Sequence, residues 1–425
     1  MNPPRSMAEA VAAVPGYDPA ALSVASAQAV IAALVQPVLA VEHVSIRAAL
    51  DRVLACDVVS PIDVPAHDNA AMDGYAVRAD DLAPSGPTRL RVIGTALAGV
   101  PYPGEVGPGC AVRVMTGAVM PRGCDTVVMQ EVVTLDADAD AVTVPPDQVR
   151  GQNRRLRGED LALGRPALTA GRILTPADLG LLASLGLPEV AVRRRLRVAF
   201  FSTGDELRSV GEPLGPGQIY DSNRYTLWGM LHRLGVDVID MGVVPDRPEA
   251  LEAAVRTAAA SADAIISSGG VSVGEADYTR AIMARLGDVA FWTIAMRPGR
   301  PLAFGRIGDA FYFGLPGNPV AVMITFYFFA RDALLRMMGA AARPHLYLRA
   351  TSAGALRKMP GRTEYQRARL TVGEDGTQRV SALGTQGSGV LRSMSEANCI
   401  VVLHHAQGSV APGEMVDCLP FDGLL

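Results

Sequence analysis

The chain has 425 residues, 49% hydrophobic and 19% charged, with a formal net charge of −4; this excludes wholesale disorder and gives length for about two to four domains. The mild acidity, with a pI near 5.9, argues against a general nucleic-acid or membrane-surface binder and leaves room for a local basic pocket. Lys358 is the only lysine, so the cationic positions are nearly all arginine.

In chain order, residues 1–25 are rich in Ala and Pro and are expected to fray. The opening MNPPRSMAEAVAAVPGYDP has no long apolar stretch of the signal-peptide kind. Apolar residues at helical spacing predict a helix over 26–38, capped by Ser26. A second is predicted near 45–54, with Ile46, Leu50 and Leu54 on one face. From about 55 to 148, short β-prone runs (RLRVIGTAL, CAVRVMTGAV, DTVVMQEVVTL, AVTVPP) alternate with Gly/Pro turns, which predicts a small all-β domain. The polar, basic GQNRRLRGEDLALG follows, then a helix in TPADLGLLASLG. There Thr175 and Pro176 suit the N-cap and first turn, and Gly186 suits the stop.

From Arg197 the pattern alternates between strand and helix. Strand RVAFFST, a helix over 223–234, strand VDVIDMGVV, helix PEALEAAVRTAAA, strand ADAIISS and a helix over 277–286 come first. Strands FWTIAM, PLAFGRI and FYFGL follow, and a long helix after PGNP. Near-continuous apolar strands predict a mostly parallel sheet covered on both faces. In such sheets ligands collect beyond the C-terminal strand ends. The most apolar run, 319–330, is too short to span a bilayer. After about 342 short strands return (LYLRATSAG, YQRARLTV, RVSALG, NCIVVLHH, MVDCLPF), predicting a small β-barrel or sandwich. Five cysteines, Cys56, Cys110, Cys124, Cys399 and Cys418, lie far apart with no Cys-x-x-Cys, which fits isolated small residues better than metal or redox chemistry. The expectation is a cytoplasmic protein with no nucleic-acid or membrane partner.

Four loops fall where strands end: STGDE at 202–206, PDR at 245–247, SSGGVSVGEAD at 267–277 and LPGNP at 315–319. Glycines at Gly269, Gly270 and Gly274 let backbone N–H groups approach a phosphate, and helix N-termini favour anions. Asp205, Glu206, Asp246, Glu275 and Asp277 would repel that phosphate unless a cation such as Mg²⁺ sat between them; hard oxygen ligands suit it. Each loop alone is an ordinary turn, and their convergence is what points to a ligand. In TIAMRPGRP, Arg297 and Arg300 sit on a chain stiffened by two prolines and could clamp an oxyanion. Alone they read as a solvated turn. HDNAAMDGYAV at 67–77 carries turn signals and alone reads as structural, a Met and Tyr tucked under a hairpin. His67 and His404-His405 read as surface residues without a third metal ligand.

These motifs together carry a resemblance. PAHDNAAMDGYAV, RVMTGAVMPRGCDTVV, RLRGED, FFSTGDEL, YDSN, VVPDRPEAL, SSGGVSVGEADY, FWTIAMRPGRPLAFG and GLPGNPVAV, in this order, resemble the bacterial MoeA family and the related C-terminal domain of gephyrin, over nearly all of the chain from about residue 25. The resemblance implies a multidomain α/β plus β fold. Its parts would be an elongated helical linker domain (22–54 and 148–186), a small β domain carrying MDGYA (55–147), a MogA/MoaB-like three-layer α/β/α domain with a mostly parallel sheet (187–341) and a C-terminal β-barrel-like domain (342–425). It implies molybdopterin molybdenumtransferase activity: adenylylated molybdopterin and molybdate give molybdenum cofactor and AMP, with Mg²⁺. It further implies a homodimer whose active cleft is shared between subunits, and contact with other proteins of the molybdopterin pathway.

Position by position, Asp277 and Asp246 fall on the carboxylates that serve the metal and the pterin, and Glu206 and Asp160 on acidic positions tied to activity. Asp73 and Thr116 match the contribution of the first β domain. The metal set is Asp246, Asp277 and Glu206. The substrate-binding set is Ser268, Gly269, Gly270, Ser272, Gly274, Glu275, Arg297, Arg300, Pro316, Gly317, Asn318, Pro319 and Ser388, with Arg367 a further match in the last domain. Two departures stand out: Ala70 replaces a Ser common in the family, and Thr293 stands where some relatives carry Lys. Two other functions compete. A MogA-like adenylyltransferase would need only the α/β domain. A non-catalytic molybdopterin carrier or scaffold would be expected to lack the carboxylates.

Overall fold

The computed structural model describes residues 6–136, 140–270 and 276–424, and of residues 276–278 the backbone alone. At its centre lies a six-stranded sheet, built from β1 (Arg197–Thr203), β2 (Asp237–Val244), β3 (Ala264–Ser268), β4 (Gly287–Thr293), β5 (Pro301–Ile307) and β6 (Ala310–Leu315), in the order β2-β1-β3-β6-β5-β4. The four strands β2, β1, β3 and β6 are parallel; β5 runs antiparallel to β6 and β4. The predicted parallel sheet therefore carries an antiparallel edge. Alternate residues go to opposite faces: Val198, Phe200 and Ile266 join one buried cluster, and Ala199, Phe201 and Ile265 another. Burial on both faces is why these strands read as continuous apolar runs.

Helices α1 (Ser222–Arg233), α2 (Pro248–Ser261), α3 (Ala276–Leu286) and α4 (Pro319–Thr325) connect or follow the strands. The Asp221 side chain caps α1 by accepting from the Arg224 N–H at 3.1 Å. Prolines 248 and 319 open α2 and α4, where a missing N–H costs nothing. Beyond α4 the helix continues through a buried π-helical stretch, Phe326–Ala330, into Arg331–Met337.

Strands Gly74–Val77, Thr88–Ala96, Cys110–Val114, Thr126–Met129, Thr134–Leu135 and Ala141–Val144 form a second six-stranded sheet. Gly74–Val77, from the MDGYA segment, lies between two partners in it. In the C-terminal part, Leu348–Ser352, Thr363–Val372, Gln378–Ala382, Cys399–Leu403 and Met415–Pro420 pair in a closed ring. The short strand Met296–Arg297 pairs with this ring, setting Arg297 opposite Glu364.

Residues 22–54 divide between two neighbours. Helix Val24–Leu34 buries Ala27, Val30 and Ile31 in the central α/β cluster. Its N-cap is Ser23, whose hydroxyl accepts from the Ser26 N–H at 3.0 Å, three residues before the expected cap. The helix predicted at 45–54 does not form: Val41–Ser45 is a strand paired with Glu189–Arg193, followed by one 3₁₀ turn, Ile46–Ala49. Strand pairing captures the start of that segment, Asp51 takes a positive φ, and Leu54 bridges to Val192. Tertiary contacts override a helical pattern only three apolar residues long. Among the described residues no helix is long and apolar enough to cross a membrane.

The helix Pro176–Ser184 starts on a capping box in which the buried Asp178 carboxylate accepts from the Thr175 N–H and hydroxyl, both at 2.8 Å, and from Arg172 Nε at 2.9 Å. Burial raises the Asp178 pKa, but the Arg172 and Thr175 hydrogen bonds outweigh it, and the net shift is downward. A carboxylate with a lowered folded pKa stabilises fully above its unfolded value and loses that contribution as pH falls through the folded one. Asp178→Ala is expected to cost about 2 kcal/mol at neutral pH. Asp178→Asn should flatten the acid limb of stability against pH. Urea melts across pH 2–7 check both, and equal acid limbs would contradict the second.

Candidate functional site

The loops after β1, β2, β3 and β6 meet at the C-terminal edge of the central sheet. The turn after β3 sits directly on the end of β1: a Cβ on Gly269 (φ +95°) would stand 2.6 Å from the Thr203 carbonyl oxygen and 2.8 Å from its hydroxyl. Only glycine fits so close a left-handed turn. Beneath the turn is a small recess lined by Thr203, Asp246, Ser267, Thr279 and Tyr312. Among the described residues the hydroxyls of Thr203 and Thr279 are buried there without a hydrogen-bond partner, as is that of Ser202 on the other face of β1. Unsatisfied buried hydroxyls are uncommon and mark a place where a ligand, ion or water belongs.

The PGN loop is tied to this turn. Asn223, at the start of α1, donates from Nδ2 to Ser268 Oγ at 2.9 Å and to the Gly317 carbonyl at 2.6 Å. The Ser268 hydroxyl donates to the Pro316 carbonyl at 3.3 Å, and the Gly269 N–H to that of Leu315 at 3.1 Å. Pro316 is buried, while Gly317 and Asn318 face outward at the head of α4. There the Val320 N–H donates to the Ser388 carbonyl at 3.0 Å, which brings the C-terminal unit onto the loop. The structure thus assembles Ser268, Gly269, Gly270, Pro316, Gly317, Asn318, Pro319 and Ser388. Ser272, Gly274 and Glu275 lie outside the described residues, and Asp277 is placed only as backbone in the first turn of α3.

A basic pocket adjoins this cluster. Gly299 (φ +94°) lets the RPGR turn lie against α4, where a Cβ would come 2.6 Å from Thr325 Cγ2. Arg297 and Arg300 are exposed and have no acidic partner among the described residues. Arg297 and Pro298 line a cavity of about 420 Å³ together with Arg357, Glu364, Arg367 and Gln386. Arg367 is 1% exposed, and its Nε donates to Ser393 Oγ at 3.0 Å. Its Nη2 donates to the carbonyls of Thr385 at 3.3 Å and Gly387 at 2.9 Å. Burial, and then the neighbouring Arg297 charge, pushes its pKa down to about 10.

The acidic candidates supply hard oxygen donors at the same edge. The Asp246 N–H donates to Asp205 Oδ1 at 3.2 Å, which joins the loops after β1 and β2. Glu206 is exposed, with its carboxylate against Gly204. Among the described residues no three carboxylate, His or Cys side chains come together as a closed metal site. That donor set suits Mg²⁺, which keeps several waters and takes ligands from substrate phosphates.

In the first β sheet, Asp73 and Thr116 are brought together: the Asp73 carboxylate accepts from the Thr116 N–H at 2.7 Å and its hydroxyl at 2.8 Å. These bonds hold the Asp73 pKa below the ordinary carboxylate value. Tyr75 is buried, but Met72 is 40% exposed rather than tucked under the turn. Asp160 is exposed on a turn pinned by its own N–H to the Val64 carbonyl at 3.1 Å. Among the described residues no hydrogen bond or ion pair joins Asp73, Thr116 or Asp160 to the strand-end loops of the same chain.

The sequence placed Thr203 in the STGDE loop without a role of its own, and singled out neither Asn223 nor Thr279. YDSN was quoted only as part of the resemblance, and a hydroxyl at a strand end carries no periodic signal. His404 is a surface residue as expected, with Nε2 2.7 Å from Asp417.

Three family profiles cover the chain: "MoeA N-terminal region (domain I and II)" over residues 22–186, "Probable molybdopterin binding domain" over 199–336 and "MoeA C-terminal region (domain IV)" over 349–421. A molybdopterin molybdenumtransferase of Haemophilus influenzae is 44% identical over 90% of this chain and 95% of its own length. Its namesake in a Nostoc species is 38% identical over 88% of this chain and 87% of its own. The crystal structure of a molybdopterin biosynthesis MoeA protein from Pyrococcus horikoshii OT3 superposes with a TM-score of 0.82 at 29% identity, covering 94% of this chain and 100% of that one.

Proposed function

This chain belongs to the MoeA family and has the activity of a molybdopterin molybdenumtransferase in molybdenum cofactor biosynthesis, and we propose how its cleft performs that reaction. The substrates are molybdopterin, in its adenylylated form, and molybdate. The supporting observation is a continuous line of contacts: Arg367 holds the Gly387 carbonyl, Ser388 accepts from Val320 at the head of α4, and Asn223 ties the PGN loop to the Gly269-Gly270 turn. A basic pocket and a phosphate-type turn are thereby set side by side.

In this assignment the turn and the PGN loop take the diphosphate on backbone donors. Arg297, Arg300, Arg367 and Ser388 take the tetrahedral dianion, whose two charges suit forked guanidinium donors. Asp246, Asp277 and Glu206 would hold Mg²⁺, which when bound polarises the phosphate so that AMP can leave. The side chains serve to bind, orient and compensate charge; no Ser–His–Asp or Cys–His nucleophile is required. Asp73, Thr116 and Asp160, which among the described residues have no hydrogen bond to the loops of their own chain, complete the cleft of a second copy in a homodimer. The α/β unit takes the three-layer arrangement, with the linker domain spacing it from the MDGYA domain.

Single-turnover release of AMP from adenylylated molybdopterin tests the assignment. Release that requires both molybdate and Mg²⁺ is expected. Tight binding without release under any oxyanion would overturn it in favour of a carrier.

A further inference from the structure

We propose that Arg357 is a further oxyanion-binding residue of the basic pocket, and that Lys358 is the positioning residue that holds it there. The proposal rests on the assignment of that pocket to molybdate.

In a chain with one lysine among 39 cationic Lys and Arg residues, position 358 is where an ammonium is needed. Lys358 is 6% exposed. Its Nζ donates to three carbonyls, those of Met359 at 3.2 Å, His405 at 3.3 Å and Gln407 at 2.6 Å. An ammonium points three donors from one nitrogen along a pyramid onto acceptors gathered around it, whereas a guanidinium spreads its donors over three nitrogens in one plane. The backbone is fastened as well. The Lys358 N–H donates to Ser409 Oγ at 3.1 Å, and the Ser409 hydroxyl donates to the Lys358 carbonyl at 3.2 Å. One residue earlier, the Arg357 carbonyl accepts from Gln366 Nε2 at 3.2 Å.

The segment so clamped presents Arg357 to the cavity that Arg297 and Arg367 also line. Arg357 is exposed, and its guanidinium has no hydrogen-bond or ionic partner among the described residues. The acidic side chain in the lining, Glu364, is already engaged by Arg362 at 2.7 Å and Gln366 at 3.4 Å. Three guanidiniums around one cavity repel each other, and a surface arginine free to swing would leave. A rigid clamp that keeps Arg357 facing the other two makes physical sense when a dianion occupies the space between them.

The test measures AMP release against molybdate concentration for the full chain carrying Arg357→Ala, Lys358→Met, Lys358→Arg or Arg297→Ala. For Arg357→Ala the half-saturating molybdate concentration should rise about tenfold, a larger effect than on kcat. Lys358→Met should move it the same way, and Lys358→Arg should not rescue it although the charge is kept. Unchanged molybdate dependence in Arg357→Ala, alongside a shift in Arg297→Ala, overturns this proposal alone. No shift in either removes the pocket assignment beneath it. A Lys358→Met protein that melts lower but keeps the wild-type molybdate dependence confines Lys358 to stability and overturns its positioning role.

Discussion

Asp246→Asn is expected to leave the fold intact and to slow AMP release by about 10²- to 10³-fold, the usual cost of removing one preorganised electrostatic group from such a site. The substitution keeps shape and removes charge. Asp246 follows β2 through Pro245, lines the recess beneath the Gly269-Gly270 turn, and is fastened by its N–H to Asp205. The loss should therefore fall on cation holding rather than on packing, and excess Mg²⁺ should recover part of the rate. The same variant tests the shared cleft. If Asp73 acts across a dimer, mixing Asp246→Asn chains with Asp73→Ala chains gives heterodimers with one site whose parts are all intact. A 1:1 mixture with free exchange should then recover about a quarter of wild-type activity. A mixture no more active than its components would return Asp73 to its own chain. Wild-type rates in Asp246→Asn would remove Asp246 from the chemistry.

The parts of this site that were legible in the sequence are those with local grammar. Gly269-Gly270 after an apolar strand, Pro316-Gly317 before a helix, and the Arg297-Pro298-Gly299-Arg300 turn each announce a backbone geometry or a charge within a few residues. The central strands were legible for the same reason, since burial on both faces leaves an apolar run. What escaped depends on pairing across long separations. Asn223 matters through Ser268 and Gly317, 45 and 94 residues away. Lys358 matters through carbonyls 47 and 49 residues away. The failed helix at 45–54 is the converse: its local pattern was helical, but Val41–Ser45 found Glu189–Arg193. That partner lies almost 150 residues on, and no local rule predicts it.

Arg367 combines a structural and a chemical role, and its replacement should show both. Arg367→Met leaves the Ser393 hydroxyl and the Thr385 and Gly387 carbonyls without their donor in a nearly closed site. Such a loss costs about 3–5 kcal/mol. It also frees the segment whose Ser388 carbonyl caps the head of α4. Yet the guanidinium is costly to hold. Its folded pKa of about 10 lies below the ordinary guanidinium value, so folding disfavours the charged form. By linkage that penalty is present at every pH below about 10 and is relieved only as pH rises through that value toward the ordinary guanidinium range. At neutral pH Arg367 is charged, beside Arg297, in a cavity whose carboxylate among the described residues, Glu364, is already paired with Arg362. A bound dianion offsets that strain, so molybdate should raise the melting temperature of the wild-type protein. Saturation at a hundred times Kd corresponds to about 2.7 kcal/mol. In Arg367→Met the molybdate-dependent shift should vanish. In Arg367→Lys, which keeps the charge without the fork, baseline stability should recover in part while the shift stays small. A wild-type protein whose melting is indifferent to molybdate, with adenylylated molybdopterin present or absent, would make Arg367 a purely structural residue.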